Sequence, residues 1–223
     1  MQKKNKCTCF MFPDEEIDDL PFMASLGPVL TIIAVYLVFV LKIGPVFMRK
    51  REAYRLTNTL IVYNAVQVAI SAYLVLLFFQ RLKHTSCLST ILFGTYLYLS
   101  AKLTELLDTA FFVLRKKNNQ ITFLHLYHHT VMVIATWALL KYWPSHTLIF
   151  IGFLNSLVHV FMYTYYGLAA LGPNVAKYLT WKKYMTKFQL VINLSSLTII
   201  LCVLYTHLQQ QDIVYIQETE RNL

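Results

Sequence analysis

Five stretches of this chain contain no Asp, Glu, Lys or Arg: residues 20–41, 56–80, 118–140, 142–176 and 188–211. Each exceeds the ~20 residues a helix needs to cross about 30 Å of hydrocarbon. A sixth stretch of span length, 85–114, carries only Lys102, Glu105 and Asp108. In lipid the backbone must satisfy its polar groups within the segment, and the helix is the open-ended way to do so. The expected fold is therefore all-α, a polytopic transmembrane helix bundle. It has six predicted spans, at roughly 26–47, 57–80, 91–114, 120–141, 147–169 and 187–206. Residues 1–25 then form a lumenal N-terminal segment, 26–206 the transmembrane domain and 207–223 a polar C-terminal tail. Composition agrees, with 57% hydrophobic and only 14% charged residues, against about 25% charged in soluble domains.

The net charge of +9 would suit a nucleic-acid binder, but its distribution speaks against one. Arg49, Lys50, Arg51 and Arg55 share one loop, Arg115 to Lys117 fill another, and Lys177, Lys182, Lys183 and Lys187 a third. With six spans these loops fall on one side, which the positive-inside rule makes cytosolic. Both termini are then lumenal. The first apolar run is too long for the apolar core of a cleaved leader. Cys7, Cys9, Cys87 and Cys202 show no metal-ligand spacing beyond a lone Cys-x-Cys. All lie toward the lumenal side, where a Cys87–Cys202 disulfide and free thiols are both open readings.

Ionisable and strongly polar residues within a span mark function by default, because burying them in lipid is costly. Three clusters stand out. Lys102, Glu105 and Asp108, followed by Thr109, recur at steps of three and share one helical sector. They could equally form a salt bridge that locks helices. His125, His128 and His129 lie on one face at i, i+3 and i+4. Asn155, His159 and Met162 share a face, with Tyr163, Tyr165 and Tyr166 beside them. Tyr165 and Tyr166 also suit an interfacial aromatic belt. At 1.5 Å per residue, His128 lies about 17 Å from Lys117 and His159 about 18 Å from Thr147. Both are expected near mid-bilayer, with Gln189 about 9 Å inward of Lys183. One cavity open to the cytosol would gather them.

The ordered motifs are Lys102-x-x-Glu105-x-x-Asp108-Thr109, His125-x-x-His128-His129, Asn155-x-x-x-His159-x-x-Met162-Tyr163-x-Tyr165-Tyr166 and Thr186-x-x-Gln189. Their order and spacing resemble the ELO family of very-long-chain fatty acid elongases, over about residues 21–200. The resemblance implies a 3-oxoacyl-CoA synthase of the endoplasmic reticulum membrane. Such an enzyme condenses acyl-CoA with malonyl-CoA and needs no cofactor or metal. Its implied partners are the ketoreductase, dehydratase and enoyl reductase of the elongation cycle; assembly of several copies stays open. A neutral buried imidazole can accept the acyl group, as a nucleophile does. By the family pattern that role falls to His128, with His159 facing it and His125 and His129 orienting or moving protons. Substrate binding falls to Lys102, Glu105, Asp108, Asn155, Tyr163, Tyr166 and Gln189, with Lys182 and Lys183 at the mouth for CoA phosphates.

Two departures accompany the resemblance. The family's second Gln after the Thr is Ile192 here. No seventh apolar stretch follows the sixth span, where the family norm is seven, so a truncated or degenerate chain is one expectation. A catalytically incomplete membrane subunit that associates with active elongases is the alternative. A di-iron desaturase or hydroxylase fits less well, since that family's sites need about eight clustered histidines and this chain has seven in all. A transporter would need a polar pathway open to both sides.

Overall fold

The computed structural model describes residues 18–83, 88–142, 146–181 and, from there to 209, short runs and single positions. It divides into two compact units, residues 1–178 and 179–223. The first holds helices α1 (Gly27–Met48), α2 (Thr57–Lys83), α3 (Leu88–Leu114), α4 (Phe123–Tyr142) and α5 (His146–Ala170). Segments Gly27–Met48, Thr57–Gln80, Phe123–Tyr142 and Leu148–Ala170 are long and apolar enough to span a membrane. The protein is thus a multi-pass helical bundle, and no strand occurs among the described residues.

Helix α3 is also of spanning length but carries Lys102, Glu105 and Asp108. It turns Lys102 and Glu105 inward, where they are only 2% and 4% exposed. Apolar residues such as Phe93 and Leu107 take the outer face instead. The rest of α3 explains its central place. Leu92, Leu99, Leu106 and Val113 recur every seven residues and are all buried. A seven-residue step returns to nearly the same helical face. That stripe packs against Ile33, Tyr36 and Val40 of α1 and Val133, Trp137 and Leu140 of α4. On another face, Tyr98 and Ala101 pack with Leu74 and Phe78 of α2 and Ile149 of α5. Buried Thr95, Lys102 and Thr109 form a further seven-residue series. One helix therefore supplies two apolar faces and a polar edge.

Helices α2 and α5 make the most extensive interhelical contact. Gly152 of α5 permits part of it, because a Cβ there would lie 2.7 Å from the Phe78 ring. Missing side chains let helices approach where lipid offers no hydrophobic drive to do so. Helix α1 is interrupted by a π-helical turn, Phe39–Ile43. The next residues are Gly44-Pro45, and proline has no N–H to continue the ladder. Gly44 donates instead to the Phe39 carbonyl, five residues back. It also sits against α3, where a Cβ would fall 2.5 Å from Val113. At the opposite end of α1, Trp137 Nε1 donates to the Phe22 carbonyl at 2.9 Å and Lys141 pairs with Asp18.

In the second unit, every described position within the predicted span 187–206 is helical. Cys202 is exposed there as a free thiol. Cys7, Cys9 and Cys87 lie outside the described residues.

Candidate functional site

The first polar network joins α3 to α5. Lys102 Nζ donates to both carboxylate oxygens of Glu105, at 3.0 and 2.9 Å, one turn along α3. It also donates to Asn155 Oδ1 at 2.5 Å and stands 3.5 Å from His159 Nε2. Tyr98, one turn before Lys102, donates its hydroxyl to the same Asn155 oxygen at 3.1 Å. Glu105 Oε1 lies 3.0 Å from His159 Nδ1, yet Nδ1 is not aligned for a hydrogen bond. All five residues are buried. The salt bridge that the i, i+3 spacing allowed is formed, and it holds more than itself. The ion pair thereby reaches Asn155 and the His159 imidazole of the facing helix. A buried pair of charges survives in a low-dielectric interior only with hydrogen-bonded partners of this kind.

A turn further along α3, Asp108 Oδ2 accepts a hydrogen bond from Tyr163 of α5 at 2.7 Å. Tyr163 is buried and packs its ring edge-on against His159, centroids 5.5 Å apart. Tyr63 of α2 meets the Tyr163 ring edge-on and accepts from Gln67 Nε2 at 3.1 Å. Gln67 Nε2 also reaches Thr104 Oγ1 at 3.1 Å.

The second network joins α1, α3 and α4 and holds no formal charge pair. Tyr36 of α1 shares a 2.9 Å hydrogen bond with Thr109 Oγ1, which is 2.9 Å from His125 Nε2. His125 and His129 pack at 4.4 Å between ring centroids, as the i, i+4 spacing dictates. His129 is buried, and His128 meets its ring edge-on at 5.7 Å. His128 is partly exposed and makes no hydrogen bond among the described residues.

The helix that carries the histidine row starts three residues later than the span expected at 120–141. Residues 118–120 form a 3-10 turn, and non-helical dihedrals at Lys117 and Ile121 break the chain on either side of it. Helix α4 therefore begins at Phe123. That puts His128 about 7.5 Å along the helix at 1.5 Å per residue. Thr122 Oγ1 caps this start by accepting from the His125 N–H at 3.2 Å. His159, by contrast, stands near the middle of α5.

The remaining expected residues distribute as follows. Tyr166 is partly buried and packs its ring against Tyr165 at 5.6 Å. Gln189 belongs to the second unit and is half-buried on a helical turn there. Lys182, Lys183 and Thr186 lie outside the described residues. Among the described residues, no three His, Cys, Asp or Glu side chains converge as a metal would require.

Tyr36, Tyr98 and Gln67 were not singled out from sequence. Gln67 had a signal. Asn64, Gln67 and Ser71 form a buried polar stripe at i, i+3 and i+7 of an apolar helix. Tyr98 precedes Lys102 by one turn and was legible in principle. Tyr36 stands 73 residues from its partner Thr109, and nothing local marks it.

The GNS1/SUR4 (ELO) family model matches residues 21–221. The chain belongs to the ELO family. It is 39% identical over 200 residues to very long chain fatty acid elongase 7 of Drosophila melanogaster, covering 80% of this chain and 58% of that protein. Human very long chain fatty acid elongase 4 is 38% identical over 192 residues, 80% of this chain and 61% of the relative. Human elongase 1 is 38% identical over 196 residues, 80% of this chain and 69% of the relative. The chain thus spans about three fifths of the length of the first two of these ELO proteins.

Proposed function

We propose that this chain condenses a long-chain acyl-CoA with malonyl-CoA, in the endoplasmic reticulum membrane, as the ELO relatives' names suggest for that family. The observation that supports it best is His128. It is the member of the histidine row left partly exposed and with no side-chain hydrogen bond among the described residues. A nucleophile needs a free lone pair and access to substrate. His125 is tied to Thr109, and His159 is enclosed by Lys102 and Glu105.

In the proposed cycle, a ring nitrogen of His128 attacks the thioester carbonyl. The C–S bond breaks, and CoA leaves as the thiol with the ring proton. Malonyl-CoA then loses carbon dioxide, and the electron pair left on carbon forms an enolate. That carbon attacks the acyl-imidazole, the C–N bond breaks, and 3-oxoacyl-CoA forms. One solvent proton restores the neutral ring. The Lys102–Glu105–Asn155 cluster holds His159 fixed and supplies a preorganised polar wall for the enolate charge; preorganised groups of this type stabilise developing charge without reorganisation. Asp108 and Tyr163 brace the same wall. Tyr166 is assigned to the entering CoA. The ketoreductase, dehydratase and enoyl reductase of the cycle would then process the product.

Reconstitution in liposomes with long-chain acyl-CoA and carbon-14 malonyl-CoA tests this reading. The expected result is extractable labelled 3-oxoacyl-CoA from the parent chain and none from His128→Ala. Correctly inserted parent chain that yields no labelled product would refute it and leave the associating-subunit alternative.

A further inference from the structure

A second, separate cavity lies at the end of α1 and α3 that carries basic residues. Its volume is about 200 Å³, and Pro45, Met48, Arg49, Val113, Lys116 and Asn118 line it. Two features fold the chain into this shape. The π turn and Gly44-Pro45 swing the end of α1 against Val113. The Tyr54 N–H donates to the Leu114 carbonyl at 3.1 Å and stitches the loop after α1 to the end of α3. Arg49 to Arg55 and Arg115 to Lys117 are thereby gathered at one place, with Glu52 as the acidic residue among them.

Lys116 is the unusual member. Helix α3 ends in a Schellman motif, with the Lys117 N–H on the Phe112 carbonyl at 2.8 Å and the Lys116 N–H on the Val113 carbonyl at 3.0 Å. That motif needs a left-handed residue at the position after the cap, normally glycine. Lys116 occupies it with φ of 55°. A side chain there costs about 1 kcal/mol relative to glycine. Here it delivers an ammonium to the cavity wall opposite Arg49. Neither cation has an acidic partner within ion-pair distance among the described residues. Pro45, Met48 and Val113 give the lining its apolar part, and Ile43, Val46 and Phe47 of α1 are exposed.

We propose that this cavity binds the phosphate headgroup of an anionic phospholipid from the surrounding bilayer. Arg49 and Lys116 meet the phosphate, Asn118 donates to its oxygens, and Pro45, Met48 and Val113 take the glycerol end. A guanidinium and an ammonium converging on one phosphate match the geometry by which proteins recognise it. Basic residues next to a membrane helix draw anionic lipid in any case; the cavity adds shape to that attraction. The lipid in turn would clamp α1 to α3 one turn from Thr109.

The test is thermal unfolding of the full purified chain in neutral detergent with dioctanoyl phosphatidylserine, dioctanoyl phosphatidylcholine or CoA. The serine lipid should raise the midpoint by about 5 °C at a hundredfold excess over its Kd, and the choline lipid should leave it unchanged. Lys116→Gly should raise the lipid-free midpoint, because it relieves the left-handed backbone, and yet abolish the response to lipid. Arg49→Gln should also abolish it. Lys50→Gln, on the same loop but outside the cavity, should keep it. The proposal is overturned if both lipids act alike, if Lys50→Gln loses the response as Arg49→Gln does, or if CoA gives the same shift through the same two residues.

Discussion

The two polar networks on either side of α3 make an instructive contrast. Toward α5, Lys102, Glu105, Asn155 and His159 are buried and tied to one another. Toward α4, the Tyr36–Thr109–His125 chain is neutral and ends at a ring, His128, that nothing holds by hydrogen bond among the described residues. Full satisfaction makes a network rigid; a group left out of it stays available for chemistry. On the proposed function, the α5 side holds and the α4 side reacts.

That contrast can be broken most sharply at His128. His128→Ala should lower condensation by about 10⁴-fold or more, as loss of a nucleophile does elsewhere, while the unfolding midpoint stays within a degree or two of the parent. A large loss of stability instead would make His128 a structural residue and reverse the assignment. Next in size is Lys102→Ala, which leaves Glu105 buried without its main partner. A cost of about 3–5 kcal/mol is expected, read as a collapse in folded yield after detergent extraction. Lys102→Ala combined with Glu105→Ala should cost less than the sum of the two single changes; additivity would mean that the pair does not act as a unit.

Two smaller effects sharpen the comparison. Gly152→Ala should destabilise by about 1–3 kcal/mol, since the added methyl must displace the Phe78 ring. Its effect on the histidine row should be minor, measurable as an unchanged KM in protein that has folded. Tyr36→Phe removes one interhelical hydrogen bond, worth about 0.6 kcal/mol on average in membrane bundles. If the α4 side is the reactive one, kcat should fall by more than that small loss implies. A kcat shift no larger than the stability change would put Tyr36 in a packing role only.

Much of this arrangement was written in local patterns. The uncharged runs located the spans. The i, i+3 spacing of Lys102 and Glu105 foretold both their shared face and their ion pair. The i, i+4 spacing of His125 and His129 foretold their shared face, where their rings meet tilted. Less legible was the start of α4, because a 3-10 turn of three residues leaves no mark in hydrophobicity. Tyr36 was also invisible as a site residue, since a tyrosine in an apolar span reads as packing until its hydroxyl finds a partner.

The sequence alone located the four apolar helices of spanning length and the faces that carry charge, because burial in lipid penalises every unpaired polar group and repeats on each helix follow its fixed pitch. It could not settle which helices meet. Lys102 reaches Asn155 across 53 residues and Tyr36 reaches Thr109 across 73. Those pairings depend on where glycines and a π turn let helices approach, and close packing among several helices is a property of the assembled bundle.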